Sequence, residues 1–235
     1  MKSFKTFLDE GVNDPAIFKA IFLAGGPGSG KSFIVGKTGL TSMGYKVVNT
    51  DNAFEAAMKK AGMKMSSDNI FSPKGQSLRG RAKKLTGKKE ERYIKGRLGL
   101  VVDGTGKDPE KIKSQAQKLR ELGYDTAMIF VNTDLETAIK RDAARERTIG
   151  EVEATKYWKS VQANVGAFQT MFGKDKFLVV DNSEGKDYQK ETLRAYKDAQ
   201  KFTNGPHGAK AKRWIEVEKQ AIRHAGRTSG PSGGR

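Results

Sequence analysis

Eight residues, Gly25-Gly26-Pro27-Gly28-Ser29-Gly30-Lys31-Ser32, fit the pattern G-x-x-x-x-G-K-[ST] and directly follow the apolar run Ala20-Ile21-Phe22-Leu23-Ala24. A phosphate-binding loop occupies this position between a strand and a helix. Its glycines let the backbone fold so that successive N–H groups converge on an anion. The lysine reaches the β- and γ-phosphates and the serine hydroxyl is placed to ligate Mg²⁺. A helix predicted from residue 32 to about 40 turns its positive end toward the same anion. The alternative is a flexible Gly/Ser connection, but strand, Lys-Ser pair and helix are all in place. The expected ligand is therefore a nucleoside triphosphate, ATP with Mg²⁺. The expected binding residues are Gly25, Gly26, Pro27, Gly28, Ser29, Gly30, Lys31, Ser32 and Phe33.

The rest of the chain alternates strand and helix signals. A first strand is predicted at 20–24 and a second at 45–50, ending at Asp51. A helix over 53–61 follows, then a Ser-, Gly- and Lys-rich stretch at 63–80 that reads as loop, then a helix with a basic face over 83–97. The continuous apolar run Leu98-Gly99-Leu100-Val101-Val102 reads as a strand covered on both faces. Asp108-Pro109 is a cap followed by proline at the first helical position, starting a helix that runs to Leu122 and stops at Gly123. Strands at 126–131 and 177–180 and helices at 134–147, 151–172, 186–202 and 209–224 complete the pattern, with a Gly/Ser/Pro tail at 228–235. This alternation predicts an α/β P-loop NTPase fold: a five-stranded parallel sheet flanked by helices, with a basic helical insertion and a helical C-terminal extension.

Composition narrows the chemistry. The chain has 235 residues, no cysteine and two histidines, His207 and His224, in a basic segment without a carboxylate cluster. Disulfides, thiolate zinc sites and a cysteine nucleophile are excluded, and a histidine metal site is not expected. No apolar run approaches the 18 or so residues of a membrane helix, and the N-terminus lacks the apolar core of a secretory signal. These features suit the cytoplasm. The net charge is +17 and unevenly placed. Residues 74–97 hold ten Lys/Arg against Glu90 and Glu91, and residues 201–235 hold eight against Glu216 and Glu218. Such blocks either attract polyanions in a salt-sensitive way or form a solvated face.

The other strand ends sort the phosphate-loop classes. Asp103-Gly104-Thr105-Gly106 satisfies D-x-x-G, yet no N-K-x-D guanine-reading motif is present, and glycine follows Asp103 where motor ATPases carry a second carboxylate. A small kinase remains. Asp51, at the end of the second strand, is placed to accept the proton of an attacking hydroxyl, or else to cap the next helix. Asp103 is a Mg²⁺ ligand candidate with Ser32, or else a turn residue. Arg141 and Arg145, four apart on the predicted helix, and Arg147 near its end, are candidates to stabilise the transferring phosphoryl group. Their alternative is surface pairing with Asp142 or Glu146. The catalytic candidates are thus Lys31, Asp51, Arg141 and Arg145.

GGPGSGKS, the Asp51 of VVNTD, VVDGTG, VNTDLETAIKRDAARER and the late VVDNS together resemble the zeta-toxin and polynucleotide-kinase branch of P-loop kinases, over about residues 18–185. The resemblance implies that Lys31, Asp51 and Arg141 or Arg145 are the working residues. It also implies that residues 180–183 pack a loop on adenine. Where zeta toxins carry Glu at the third strand, this chain has Asp103, which counts against their nucleotide-sugar substrate. The implied division is an amphipathic segment at 1–17, a kinase domain at 18–203 and a basic extension and flexible tail at 204–235. The implied activity is γ-phosphoryl transfer to a hydroxyl of a nucleotide, polynucleotide end or nucleotide sugar. The basic stretch 74–97 suits a phosphate-rich acceptor such as nucleic acid. The competing class is a non-catalytic ATP- and nucleic-acid-binding protein, packaged with DNA in a phage head, whose phosphate loop serves binding or regulation only; the location would then be the phage virion or the host cytoplasm. MKSFKTFLDEG is similar to capsid-targeting peptides of tailed-phage head proteins, which would be cut after Glu10, although Phe4, Phe7 and Leu8 also suit a plain docking helix. Tyr157, Trp158, Phe168 and Phe172 are expected to be core.

Overall fold

The computed structural model describes residues 11–145 and 148–228. The expected N-terminal helix up to residue 10, the Glu10 cleavage point, Arg147 and the tail 229–235 lie outside the described residues. Five parallel strands, β1 (Lys19–Ala24), β2 (Lys46–Val48), β3 (Leu100–Asp103), β4 (Asp125–Asn132) and β5 (Phe177–Asp181), form one sheet in the order β2-β3-β1-β4-β5. This is the predicted P-loop kinase-like sheet. Every residue of β1 is buried, as expected of a central parallel strand covered on both faces. Its register with β3 pairs Leu23 with Asp103, and β5 pairs with β4 so that Asp181 meets Asn132. The loops after β1, β3, β4 and β5 therefore gather at one edge.

Alternation along the strands separates two cores. Phe18, Ala20, Phe22, Leu100, Met128 and Phe130 face one side, against α5 (Pro109–Glu121), α7 (Glu151–Ala163), α8 (Val165–Phe172) and α10 (Ala209–Thr228). Ile21, Leu23, Val101, Ile129 and Val131 face the other, against α1 (Lys31–Lys37) and α9 (Tyr188–Thr203). A separate small core of Phe54, Met58, Ile70 and Ala82 joins α2 (Thr50–Lys60), α3 (Ser67–Phe71) and α4 (Pro73–Lys95). The remaining helix, α6 (Leu135–Ala143), packs on α7. On the opposite edge of the sheet, the fully buried Lys19 donates through Nζ to the Gly205 carbonyl at 3.0 Å and to Asp125 at 3.4 Å. Trp214 of α10 lies edge-on to Phe18 at 5.4 Å. These contacts tie the C-terminal helix to the sheet.

Several boundaries differ from expectation. The stretch 63–80 is not loop. Ser66 accepts from Asn69 N to cap α3, Ser72 accepts from Gly75 N at 3.0 Å to cap α4, and Pro73 takes the first helical position. Weak local propensity is overridden by burial of Ile70 and Ala82 against α2. Gly75 permits the close crossing, since a Cβ there would lie 2.7 Å from the Ile70 carbonyl. The helix expected over 151–172 divides at Asn164, and that expected over 134–147 ends at Ala143. Of the four aromatics assigned to core, Phe168 and Phe172 are buried, while Tyr157 and Trp158 are half-buried. Phe168→Ala should lower unfolding stability by about 3–5 kcal/mol, the usual cost of emptying an aromatic core site. Urea denaturation measures it, and a loss below about 1 kcal/mol would mean that α8 is not integral to the main core.

Candidate phosphoryl-transfer site

The loop after β1 is held by what its glycines lack. Gly28 adopts φ 69° and Gly30 φ 82°, a left-handed conformation that side chains resist. A Cβ on Gly28 would sit 2.9 Å from the Ala138 Cα of α6, and one on Gly30 would fall on the Asn182 amide. Asn182, buried, donates through Nδ2 to the Ser29 carbonyl at 2.8 Å, and its backbone N–H donates to Asn132 O at 2.9 Å. Trp158 backs Gly26 and donates its indole N–H to the Thr133 carbonyl at 2.7 Å. Lys31 opens α1, with its ammonium donating to the Gly25 carbonyl at 2.6 Å. Ser32 and Phe33 follow it, exposed.

Asn49 organises the acidic side. Its Oδ1 accepts from the N–H groups of Asp51 (2.7 Å) and Asn52 (3.2 Å), capping α2, while its Nδ2 donates to Asp103 Oδ2 at 2.5 Å. The capping role considered for Asp51 therefore belongs to Asn49. Asp51 lies in the first turn of α2, not at the strand end, and is exposed. Asp103 is half-buried, and its Oδ1 is buried without a partner. Burial raises its carboxyl above the ordinary range, opposed by Lys31, reinforced by Asp51 and opposed by the Asn49 hydrogen bond. Burial lowers Lys31, opposed by Asp103 and Asp51 and reinforced by Arg145. Lys31, Asp51, Asp103 and Arg145 thus share one electrostatic field. Among the described residues no cluster of three or more His, Asp or Glu could hold a metal by itself.

A cleft of about 520 Å³ opens beside the loop, lined by Gly28, Gly30, Phe33, Arg141, Arg145 and the segment after β5. Arg141 Nη1 lies 3.5 Å from the Gly28 carbonyl. Arg145 does not share a helix face with it, because α6 ends two residues earlier, but it lines the same cleft. Asp142 does not pair with these arginines. Its buried Oδ2 accepts from Thr148 Oγ1, Ile149 N and Gly150 N at 2.8, 2.9 and 3.2 Å, tying down the chain beyond Arg145. The segment after β5 is laced to α6. The Asp134 N–H donates to Ser183 Oγ, the Glu184 N–H to Thr137 Oγ1, and Lys140 to Glu184 at 2.7 Å. Beyond Asn49, the structure adds a second residue that sequence reasoning missed. Tyr188 forms an edge-to-face pair with Phe33 at 5.6 Å, and both rings are over 40% exposed toward the cleft. Nothing in the local sequence marks it.

A family model described as AAA domain matches residues 21–165, more than half of the chain. No curated protein matches the chain in sequence. Among solved structures, the AvrRxo1-ORF1:AvrRxo1-ORF2 complex with sulphate ions superposes at a TM-score of 0.54 with 18% identity, covering 77% of this chain and 62% of that one. The chain thus spans less than two thirds of that relative's length. The same complex with ATP gives 0.53 at 18% identity, with the same 77% and 62% coverage. Its native form gives 0.53 at 16% identity, covering 91% and 83%. These likenesses show a common fold.

Asn182→Ala would leave the Ser29 carbonyl buried without its donor, at a cost of about 1–3 kcal/mol. Thermal unfolding should show that loss, and affinity for a fluorescent ATP analogue should fall about tenfold as the loop loosens. Unchanged values for both would mean that the loop holds its shape without Asn182.

Proposed function

Because the chain belongs to the AAA domain family, we propose that it is an ATP-dependent kinase of the zeta-toxin and polynucleotide-kinase branch, with residues 18–203 as its kinase domain. It passes the γ-phosphoryl group to a hydroxyl of a phosphate-bearing acceptor: a nucleotide, a polynucleotide end or a nucleotide sugar. The observation that carries this reading is one glycine loop with Lys31 opening the helix behind it, Arg141 and Arg145 lining the cleft beside it, Asp103 in register with Leu23 on the neighbouring strand, and Asn49 bridging Asp103 to the Asp51 N–H. The AvrRxo1 complex solved with ATP supports ATP as the donor.

In this reading the triphosphate lies in the loop, and Lys31 exchanges the Gly25 carbonyl for phosphate oxygens. The Phe33–Tyr188 pair and the segment after β5 border the space for the base. Asp51, released from capping by Asn49, takes the proton as the acceptor oxygen attacks the γ-phosphorus and the bond to the β–γ bridging oxygen breaks. Arg141 and Arg145 offset the charge that spreads over the transferring group. The unpartnered Asp103 Oδ1 and the exposed Ser32 hydroxyl are the groups that would hold a Mg²⁺ here. Mg²⁺ held there would neutralise phosphate charge.

The first test is ADP release from ATP and Mg²⁺ with panels of nucleosides, 5′-hydroxyl oligonucleotides and nucleotide sugars. Lys31→Ala should abolish turnover while the circular dichroism spectrum stays unchanged, and equal turnover in this variant would remove the kinase assignment.

Asp51→Asn should lower kcat by about 10²–10⁴-fold with ATP affinity retained, because the proton acceptor is lost. The helix cap resides on Asn49, so this substitution leaves α2 intact. Near-normal kcat would exclude Asp51 as the base.

A further inference from the structure

We propose that α4 is a docking track for single-stranded nucleic acid. The helix turns its apolar side inward, where Gly75, Ala82 and Thr86 are buried and Leu78 and Ala82 join the small core with Phe54. At 3.6 residues per turn, Lys74, Arg81, Lys84, Lys88, Arg92 and Lys95 fall on the outer side within a sector about 80° wide and about 31 Å long. All six are exposed. None pairs with a carboxylate among the described residues. Glu90 lies on the opposite side of the helix and Glu91 at the margin of the row. Arg79, by contrast, is half-buried over the Phe54 ring at 5.8 Å and does not belong to the row.

Neighbours in this row stand three or four residues apart along most of its length, so like charges repel, and on the helix itself Glu91 at the margin is a single counter-charge against six cations. A polyanion with regularly spaced charges relieves that repulsion. A membrane surface fits less well, because a helix lying on lipid needs its apolar side chains turned outward, and those of α4 are turned onto α2. An acidic protein fits less well too, since protein interfaces depend on buried aromatic or apolar anchors, and the row carries Leu85 as its exposed apolar neighbour. Single strands bind to a cationic row plus an aromatic face on which a base stacks. Phe71, 72% exposed, stands at the N-terminal head of α4.

The helix packs on α2, which carries Asp51. The inference thus selects the polynucleotide among the acceptor classes, and rests on the kinase reading only for the fate of the bound strand.

The test is the salt dependence of binding of a fluorescent 20-nucleotide single strand with a 5′-hydroxyl, as DNA and as RNA. With about six phosphates neutralised, affinity should fall roughly 300-fold between 50 and 200 mM salt. The variant Arg81→Gln/Lys84→Gln/Lys88→Gln/Arg92→Gln, which keeps helix propensity, should reduce that fall to about 7-fold. Its melting curve and ATP affinity should match the parent. A charge-matched variant on the other basic segment, Lys201→Gln/Lys212→Gln/Arg213→Gln/Lys219→Gln, should leave the slope in place. An unchanged slope in the α4 variant, or equal flattening in the charge-matched one, would overturn the track. So would loss of binding to phosphatidylserine vesicles with oligonucleotide binding retained. Lys31→Ala should bind the strand normally. A strand that binds to α4 but is never phosphorylated by the parent would remove the polynucleotide as acceptor and leave the docking surface standing, whereas absence of ADP release with every acceptor class would remove the kinase reading.

Discussion

The close approach of Gly28 to the Ala138 turn of α6 governs the geometry of the phosphate side. Only a residue without a Cβ lets the loop lie against that helix, and α6 is the element that carries Arg141 to the loop's carbonyl. Asn182 does the same from β5, gripping the Ser29 carbonyl. The hydrogen bonds between the β5 loop and the first turn of α6 then close the ring. Loop, arginine helix and cleft wall form one hydrogen-bonded unit, and no member can shift without disturbing the others.

Across the sheet, Asn49 couples the ends of β2 and β3. One side-chain amide caps α2 with its oxygen and holds Asp103 with its nitrogen. The consequence is a division of labour among three polar residues. Asn49 satisfies the helix end, Asp103 keeps an unpartnered oxygen in a buried setting, and Asp51 remains free in water. Leaving a buried carboxylate oxygen without a donor is costly, and such a group is raised toward its neutral form by burial. The ammonium of Lys31 is the main charge opposing that shift.

What could be read in the sequence follows how local each cause is. The phosphate loop needs residue types at fixed spacing, so residues 25–33 and the strand before them are plain, as is the Asp108-Pro109 start of α5. The five parallel strands are legible because each is a short apolar run. The stretch 63–80 is illegible because its helices are stabilised by contacts of Ile70 and Ala82 with α2, which no local pattern records. Arg145 reaches the cleft by a route that helical spacing misdescribes: the helix stops at Ala143, and a buried Asp142 steers the chain afterwards. Tyr188 is invisible because its partner Phe33 is close only through the sheet.

The residue assigned as proton acceptor and the loop assigned to phosphate are built on different foundations. Asp51 rides on α2, whose packing rests on a core of four buried residues shared with α3 and α4. The glycine loop rests on the two large cores that sandwich the sheet. Small cores open at lower free energy than large ones. A substitution within Phe54, Met58, Ile70 or Ala82 should therefore shift Asp51 and α2 while the glycine loop keeps its geometry. Under the proposed kinase reading the acceptor side and the phosphate side are separable: one rests on a core that can be repacked while the other keeps its shape.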